Sequence, residues 1–321
     1  MTADHLPADP LPAVWLIGEA LLDTFTDACV PGGAPFNVAR SMAALGQPAL
    51  LISRIGAADP GGAVLLDEMR RLGMDERGLQ RDPLHPTGRV HIEQDADGGH
   101  CFDIADDAAW DHLDATAAAP LLREGRPALL YFGTLAQRHS GSRAAVQTLL
   151  SACAPDTWCY LDLNLRAGAE PGPWLEPSLL RADWLKVNEE ELRWLLDRLR
   201  LSSPVDLVRH CSLRRLIVTR AAAGYAAYDA EQGCVADAAG VVPARVVDSV
   251  GAGDAFSAML LTASLRGLGF TESLALANRY ASAICGVRGP LPSEPGFFAP
   301  WRAALPGQAC ATQPASVESD C

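Results

Sequence analysis

Lysine is nearly missing from this chain. Lys186 is the only one, and the rest of the 26 basic residues are arginines. The chain therefore has no Walker phosphate loop, which requires Gly-Lys-Ser/Thr. A basic excess is missing as well: the 321 residues carry a formal net charge of −13. That balance argues against nucleic acid and anionic membranes as partners. It does not argue against ATP, because a nest of backbone N–H groups with Mg²⁺ holds phosphate in an acidic protein. No uninterrupted apolar run reaches membrane-spanning length. Residues 1–12 lack the basic and apolar segments of a signal peptide. The nine cysteines are scattered and form no Cys-x-x-Cys. They read as reduced packing thiols, Cys159 and Cys285 among them, and the expected location is cytoplasmic.

What remains suits one large α/β domain or two small ones, with an ordinary globular composition of 49% hydrophobic and 20% charged residues. Residues 14–18 and 49–55 read as buried strands, and 35–45 as a helix with Pro35 in its first turn. Asp59-Pro60 opens a helix that stops at Gly73. Strands at 128–132, 158–163, 184–187 and 216–219 then alternate with helices at 142–153, 189–198 and 205–211. Such alternation predicts a mainly parallel sheet with helices on both faces. Residues 225–228 and 241–247 read as antiparallel edge strands, and 252–265 and 271–285 as two closing helices. There is no internal repeat. The polar ends, 1–11 and 306–321, read as flexible tails around a domain at 12–305.

The most informative stretch is Asp248-Ser249-Val250-Gly251-Ala252-Gly253-Asp254 at the head of an apolar helix. Free N–H groups and the positive end of the helix dipole favour an anion there, and glycine lets a ligand approach the backbone. A carboxylate beside an anion hole makes sense if it takes the proton from a hydroxyl that attacks a phosphate. The dipole is expected to keep Asp254 ionised. The plain alternative is a glycine-rich turn with a capping aspartate. No dinucleotide loop is present, since its third glycine is replaced by Phe256.

A second constellation lies upstream. Gly32-Gly33-Ala34-Pro35-Phe36-Asn37 leads into the first helix, and Asp23 lies beyond the first strand. Asn37 offers a donor and an acceptor, as a sugar hydroxyl requires, and a carboxylate holds a diol well. A tight turn and an exposed loop acid explain the same residues one at a time. The strand at 21–26 and the hairpin pair 88–93 and 100–104, around Asp95-Ala96-Asp97-Gly98-Gly99, break the βα alternation. These pieces, within segments 19–34 and 86–106, predict a small sheet over the strand ends where ligands bind. Such a lid excludes water from a kinase site. An ornamental hairpin or a dimer surface is the alternative.

Together, Gly32–Asn37 and Asp248–Asp254 resemble the two signatures of ribokinase-like, PfkB-type carbohydrate kinases, over about residues 12–300. Gly18-Glu19-Ala20-Leu21-Leu22-Asp23, Gly32-Gly33-Ala34-Pro35-Phe36-Asn37-Val38-Ala39 and Asp162-Leu163-Asn164-Leu165-Arg166 are most similar to the bacterial fructokinases. The resemblance implies an α/β fold, a three-layer α/β/α sandwich with a small β-sheet lid, and ATP- and Mg²⁺-dependent phosphorylation of a sugar, fructose first. It implies Asp254 as base, Gly251, Ala252 and Gly253 as anion hole, and Asp23, Gly32, Gly33, Asn37 and Arg166 around the sugar. Asn188 and Glu191 match an Asn-x-x-Glu element that orders Mg²⁺ and phosphate. Thr219 and Gly224 match the nucleotide loop, Asn278 falls at the adenine pocket, and Lys186 is grouped with these nucleotide-side residues. A K⁺ set would comprise Asp248, Gly289 and Ser293, with Val250, Ile284 and Val287 as carbonyl donors. One loop glycine is replaced by Ala221, which is strained if that position requires positive φ. Arg89 and Arg138 are candidates for reaching substrate or phosphate. Other acceptors (ribose, 2-keto-3-deoxygluconate, or a nucleoside walled by Phe36, Phe102 or Trp110) and a silent sugar-binding relative are the competing readings. A homodimer through the lid is the expected assembly, since exposed strand edges find partners.

Overall fold

The computed structural model describes residues 13–24, 29–94, 100–166, 171–243 and 245–307. The expected tails, apart from residues 306 and 307, lie outside them, as do the turn at 95–99 and the last two residues of the strand expected at 21–26. The chain opens with β1 (Val14–Ile17), β2 (Leu21–Thr24), β3 (Cys29–Gly32) and α1 (Ala34–Ala44). It continues with β4 (Ala49–Gly56), α2 (Pro60–Arg71), β5 (Leu79–Asp82), β6 (Gly88–Gln94) and β7 (His100–Ile104). The middle runs α3 (Ala115–Glu124), β8 (Leu129–Gly133), α4 (Ser140–Ala152), β9 (Trp158–Asp162), α5 (Leu175–Arg181), β10 (Trp184–Asn188), α6 (Glu189–Leu199) and α7 (Pro204–His210). Last come β11 (Arg215–Thr219), β12 (Tyr225–Asp229), β13 (Gly233–Ala238), α8 (Ala252–Leu265), α9 (Phe270–Ile284) and α10 (Ala299–Ala304).

Nine strands form one sheet in the order β13-β12-β11-β10-β9-β8-β1-β4-β5. The pairs from β5 through β11 are parallel, and β12 and β13 add antiparallel. Strand alternation sorts the side chains into two cores. Val14 and Leu16 of β1 face α1, α2, α8 and α9, whereas Trp15 and Ile17 face α3 through α7. The result is the three-layer α/β/α sandwich. Sequence neighbours depart from β1 in opposite directions, to β4 on one side and β8 on the other. The crevice outside the carboxyl ends of β1 and β8 is therefore the topological switch point, where ligands bind in open α/β sheets.

The second sheet, β3-β2-β6-β7, has β2 and β6 parallel between two antiparallel neighbours. It is the lid. Its root rests on Trp110, which is fully buried in a single 3₁₀ turn at Ala109–His112, with Arg138 stacked 4.2 Å above the indole ring.

The residues at 241–247 are not a strand. The outer strand is β13, paired with β12 from Tyr225–Ala238 to Asp229–Gly233. Pro243 lacks the N–H a ladder needs, and Val242 is 79% exposed. Nor do two helices close the fold. α10 follows, with its Trp301 ring edge-on to Tyr280 at 5.2 Å. Strands β3, β5 and β13 and helices α3 and α5 escape the pattern reading because they are short or rich in alanine and proline.

A Cβ at Gly88 would lie 2.7 Å from Trp110 Cδ1. Gly88→Ala is expected to push the lid off its support and cost about 1–3 kcal/mol, the usual range for overpacking. Urea unfolding checks this, and an unchanged midpoint would show that Trp110 does not hold β6.

Candidate active site

The lid and the switch point enclose a crevice of about 400 Å³. Leu21, Val90 and Ile104 of the lid supply an apolar roof, with Asp23 of the same sheet beside Leu21; Asn37, Asn164, Arg166, Lys186 and Asp254 supply a polar floor and walls. A second crevice of about 450 Å³ lies beyond the turn at 249–253 and is lined mostly by apolar groups, including Val241, Val242, Val246 and Phe256. Ser249 and Gly253 line both.

That turn is the head of α8. Gly251 is its N-cap, with φ 77°, and no side chain caps it. Elsewhere, Asp59, Asn188 and Ser203 cap α2, α6 and α7 with their own oxygens. Ala252 N donates to Ser249 O at 3.3 Å and Ala255 N to Gly251 O at 2.8 Å, whereas the N–H groups of Gly253 and Asp254 are left without the carbonyl partners that helix geometry denies a first turn, where the two crevices meet. The N-cap of α1, Gly33, also makes no side-chain cap.

Asp254 sits in the first turn of α8. Its Oδ2 accepts from Asn37 Nδ2 at 2.8 Å. Arg40 fixes which way the amide points, because it donates to Asn37 Oδ1 and, having no acceptor, must face the amide oxygen. Arg40 is itself held by Pro31 O at 2.7 Å and Glu68 at 3.2 Å. The sequence reading misses Arg40, which looks like an ordinary helical arginine. Gly32 is required for space, since a Cβ there would strike the Asp23 carboxylate.

Lys186 is buried beneath the same helix terminus. Its Nζ donates to both oxygens of Asp162, at 3.0 and 2.9 Å, and lies 3.4 Å from where a Gly253 Cβ would stand. Burial alone would depress its pKa, but Asp162 raises it, so the ammonium keeps its charge. Tyr131 and Ser257 also donate to Asp162, at 3.2 and 3.1 Å.

Three carboxyls crowd the polar crevice. Burial pushes Asp254 up to about 6, against the pull of Asn37. At neutral pH a carboxyl at about 6 remains mostly ionised, although burial works against the helix dipole that favours its charge. Burial also raises Asp23 to about 6, with Arg166 opposing. Glu19 is pushed up to about 7, again by burial first. Glu19 has no role in the sequence reading. Its Oε1 accepts from Ala34 N at 3.1 Å, and its buried Oε2 has no protein partner. Its signal was position, at the end of β1 on the switch point.

On the far side, Asn188, Thr219, Ala221, Gly224 and Asn278 line the second crevice. Asn188 and Glu191 form a reciprocal capping box: Asn188 Oδ1 accepts from two N–H groups and Glu191 Oε2 accepts from Asn188 N at 2.8 Å. Glu191 Oε1 accepts from Leu165 N at 2.8 Å, so both residues are braced by backbone. Asn278 donates to Ala239 O at 2.9 Å. Cys285 lines this crevice rather than lying in the core. Ala221 does adopt positive φ, 47°. Asp248 ties Val250 N at 2.9 Å to Gly289 N at 3.0 Å, and Ile284 O accepts from Val287 N at 3.1 Å. Ser293 is exposed.

Some candidates are not at the site. Phe36 and Trp110 are core residues, and among the described residues no aromatic ring lines the polar crevice. The side chain of Phe102 lies outside the described residues. Arg138 is committed to Asp111 at 2.6 Å and Ala105 O at 2.6 Å. Arg89 reaches Cys29 Sγ at 3.9 Å on the lid. Among the described residues no helix is long and apolar enough to cross a membrane.

A model of the pfkB family of carbohydrate kinases matches residues 16–295. The fructokinase of Escherichia coli is 30% identical over 266 residues, covering 78% of this chain and 83% of that protein. The solved structure of an uncharacterized sugar kinase from Pyrococcus horikoshii in complex with ATP is 25% identical, with a TM-score of 0.74, over 86% of this chain and 93% of that one. A double-mutant fructokinase of Vibrio cholerae, with fructose, ADP and potassium bound, shares the fold at a TM-score of 0.76 and 22% identity, over 91% of this chain and 99% of that one.

Two expectations follow from the geometry. Glu19, Asp23 and Asp254 bind protons more readily folded than at their ordinary values of 4.5 and 3.8. The folded state thus holds more protons than the unfolded one between about pH 4 and pH 7, and the contribution of these groups to stability grows as pH falls through that window. Unfolding midpoints of the unliganded protein at about pH 7.5 and 5.5 are expected to rise toward the acid side; a falling midpoint would contradict the crowding. Ala221→Gly is expected to gain roughly 0.5–1 kcal/mol, the left-handed strain less the extra entropy of unfolded glycine. A loss of stability in that variant would mean that the alanine methyl makes a needed contact.

Proposed function

This chain belongs to the pfkB family of carbohydrate kinases, and from that premise we propose that it transfers the γ-phosphoryl group of ATP to a hydroxyl of fructose. The observation that carries the reading is the shared wall: Ser249 and Gly253 border both crevices, with Asp254 on the acceptor side. The polar crevice takes the sugar and the apolar one takes the adenine, so the triphosphate crosses the head of α8. The fructokinase relatives support fructose as the acceptor.

Asp23, Asn37 and Arg166 hold the sugar, with Gly32 and Gly33 leaving room for it. Asp254 takes the proton from the attacking hydroxyl. That oxygen bonds to the γ-phosphorus as the bond to the ADP oxygen breaks, in line and without a covalent enzyme intermediate. The N–H groups of residues 251–253 and the Lys186 ammonium meet the charge on the transferred group. Mg²⁺ neutralises phosphate charge when bound. Asn188 and Glu191 fit it through water, because each oxygen already accepts a backbone N–H. A K⁺ ion fits near Asp248 and the carbonyls of Val250, Ile284 and Val287, with Ser293 and Gly289 closing that loop. Thr219, Gly224 and Asn278 bound the nucleotide. A nucleoside acceptor is less well supported, since no described aromatic ring lines the acceptor crevice.

ADP release with ATP, Mg²⁺ and a panel of sugars and nucleosides is expected to be strongest with fructose. Asp254→Asn should lower that rate by roughly 10²–10⁴-fold while leaving fructose binding nearly intact. In the wild type, turnover should fall as pH drops through about 6, where Asp254 gains its proton. Near wild-type turnover in the variant would falsify the assignment of the base. Sugar binding with no ADP release from any acceptor would favour a silent sugar-binding relative.

A further inference from the structure

We propose that His85, Asp107 and His112 form a binding site for a zinc-type divalent cation at the root of the lid. One ligand atom from each lies within 4.8 Å of the others. His112 Nε2 is 2.7 Å, and His85 Nε2 3.9 Å, from Asp107 Oδ1. The two imidazoles lie face to face, with centroids 3.6 Å apart and planes 12° from parallel, so ligation by both requires one ring to turn until its in-plane Nε2 lone pair meets that of the other at the cation. Zinc arms of about 2.0–2.1 Å put tetrahedral donors about 3.3–3.4 Å apart, between the two observed separations. Two imidazoles and one carboxylate, with the remaining position open to solvent, is a donor set that suits zinc.

The surroundings orient these ligands. His85 Nδ1 lies 3.0 Å from Asp82 Oδ2, and the Asp82 side chain is fully buried and paired with Arg54 at 2.8 Å. With Asp82 accepting, Nδ1 carries the proton and Nε2 keeps its lone pair for a metal, the usual carboxylate–histidine–metal arrangement. Arg54 also donates to the carbonyl of His112 at 2.8 Å, so one arginine on β4 braces both histidines.

A neighbouring cluster provides the contrast. Asp106, Asp111 and His139 are equally close together, but Arg138 pairs with Asp111 at 2.6 Å and with Asp106 at 3.7 Å. A guanidinium already supplies the positive charge there. Among the described residues no arginine or lysine pairs with Asp107, which meets only the two imidazoles.

The location gives the site a consequence. His85 lies between β5 and β6, where the chain enters the lid hairpin. Asp107 follows β7, where it leaves. His112 ends the 3₁₀ turn that carries Trp110. A cation bound to all three fastens both lid connections to the body and raises stability by linkage.

The test is zinc titration of the full chain by calorimetry, with Co²⁺ as a spectroscopic replacement. The expected result is one Zn²⁺ per chain, a higher unfolding temperature, and a cobalt spectrum of nitrogen and oxygen ligands. His85→Gln and His112→Gln should each weaken binding at least tenfold, while His139→Gln leaves it unchanged. Absence of stoichiometric binding, a thiolate-to-cobalt charge-transfer band, or wild-type affinity in both ligand variants overturns the proposal. The cobalt spectrum is read on the unaltered protein and does not depend on any variant folding.

Discussion

The first turn of α8 carries N–H groups that no side chain of the protein caps, and the rest of the site is organised around them. A buried helix end without partners is costly; here Ala252 N and Ala255 N find backbone carbonyls and the terminus borders both crevices. α8 is held rigidly for that purpose. Its residues from Ala255 to Ala263 are buried, and it packs against both α1 and α9 in one continuous core. Gly251, at φ 77°, turns the chain into the helix at an angle that side-chain-bearing residues rarely accept.

An anion hole beside three carboxyls is an electrostatic conflict. Burial is the main reason that Glu19, Asp23 and Asp254 are pushed above their ordinary range; the charge of Asp254 adds to it at Glu19 and Asp23, and that of Asp162 at Asp254. Arg166 eases Glu19 and Asp23, and Lys186 eases Asp254. Lysine suits that place because a compact ammonium reaches both oxygens of Asp162 while staying clear of Gly253; a guanidinium fork is larger and planar. In a chain otherwise using arginine, the one lysine stands where shape discriminates between the two.

Much of this was legible in the sequence because the signals are local. Glycine pairs, Pro35 and the Asp-x-x-Gly-x-Gly-Asp run act through backbone geometry, so Asp254, Asn37 and the α8 terminus could be read without a fold. Residues that matter through distant contacts could not. Arg40 orients Asn37 from one turn away, and Glu19 meets α1 fifteen positions later. The valines at 241–247 misled for a related reason. β-branched residues favour strands when half-buried on a sheet, but here Val241, Val242 and Val246 wall a crevice, and the edge position goes to Gly233–Ala238. Ala221 was flagged by a missing glycine, and it does sit at positive φ, the conformation in which glycine carries no steric cost.

The lid completes the division of labour between polar floor and apolar roof. Leu21, Val90 and Ile104 are mid-sized aliphatic groups from three strands of the small sheet. They offer no hydrogen bonds, so they confer little choice among acceptors of similar size. On the proposed reading they limit water, the competing acceptor, over a floor whose charges act more strongly when desolvated. On the same reading, choice among acceptors therefore falls to the polar groups, Asp23 on the lid and Asn37 and Arg166 below it, which an ill-matched ligand leaves unpaired. An unpaired buried polar group costs more than a poor apolar fit. By that reasoning, substitutions in the roof change the ratio of hydrolysis to transfer, whereas substitutions at the polar groups change which molecule is accepted.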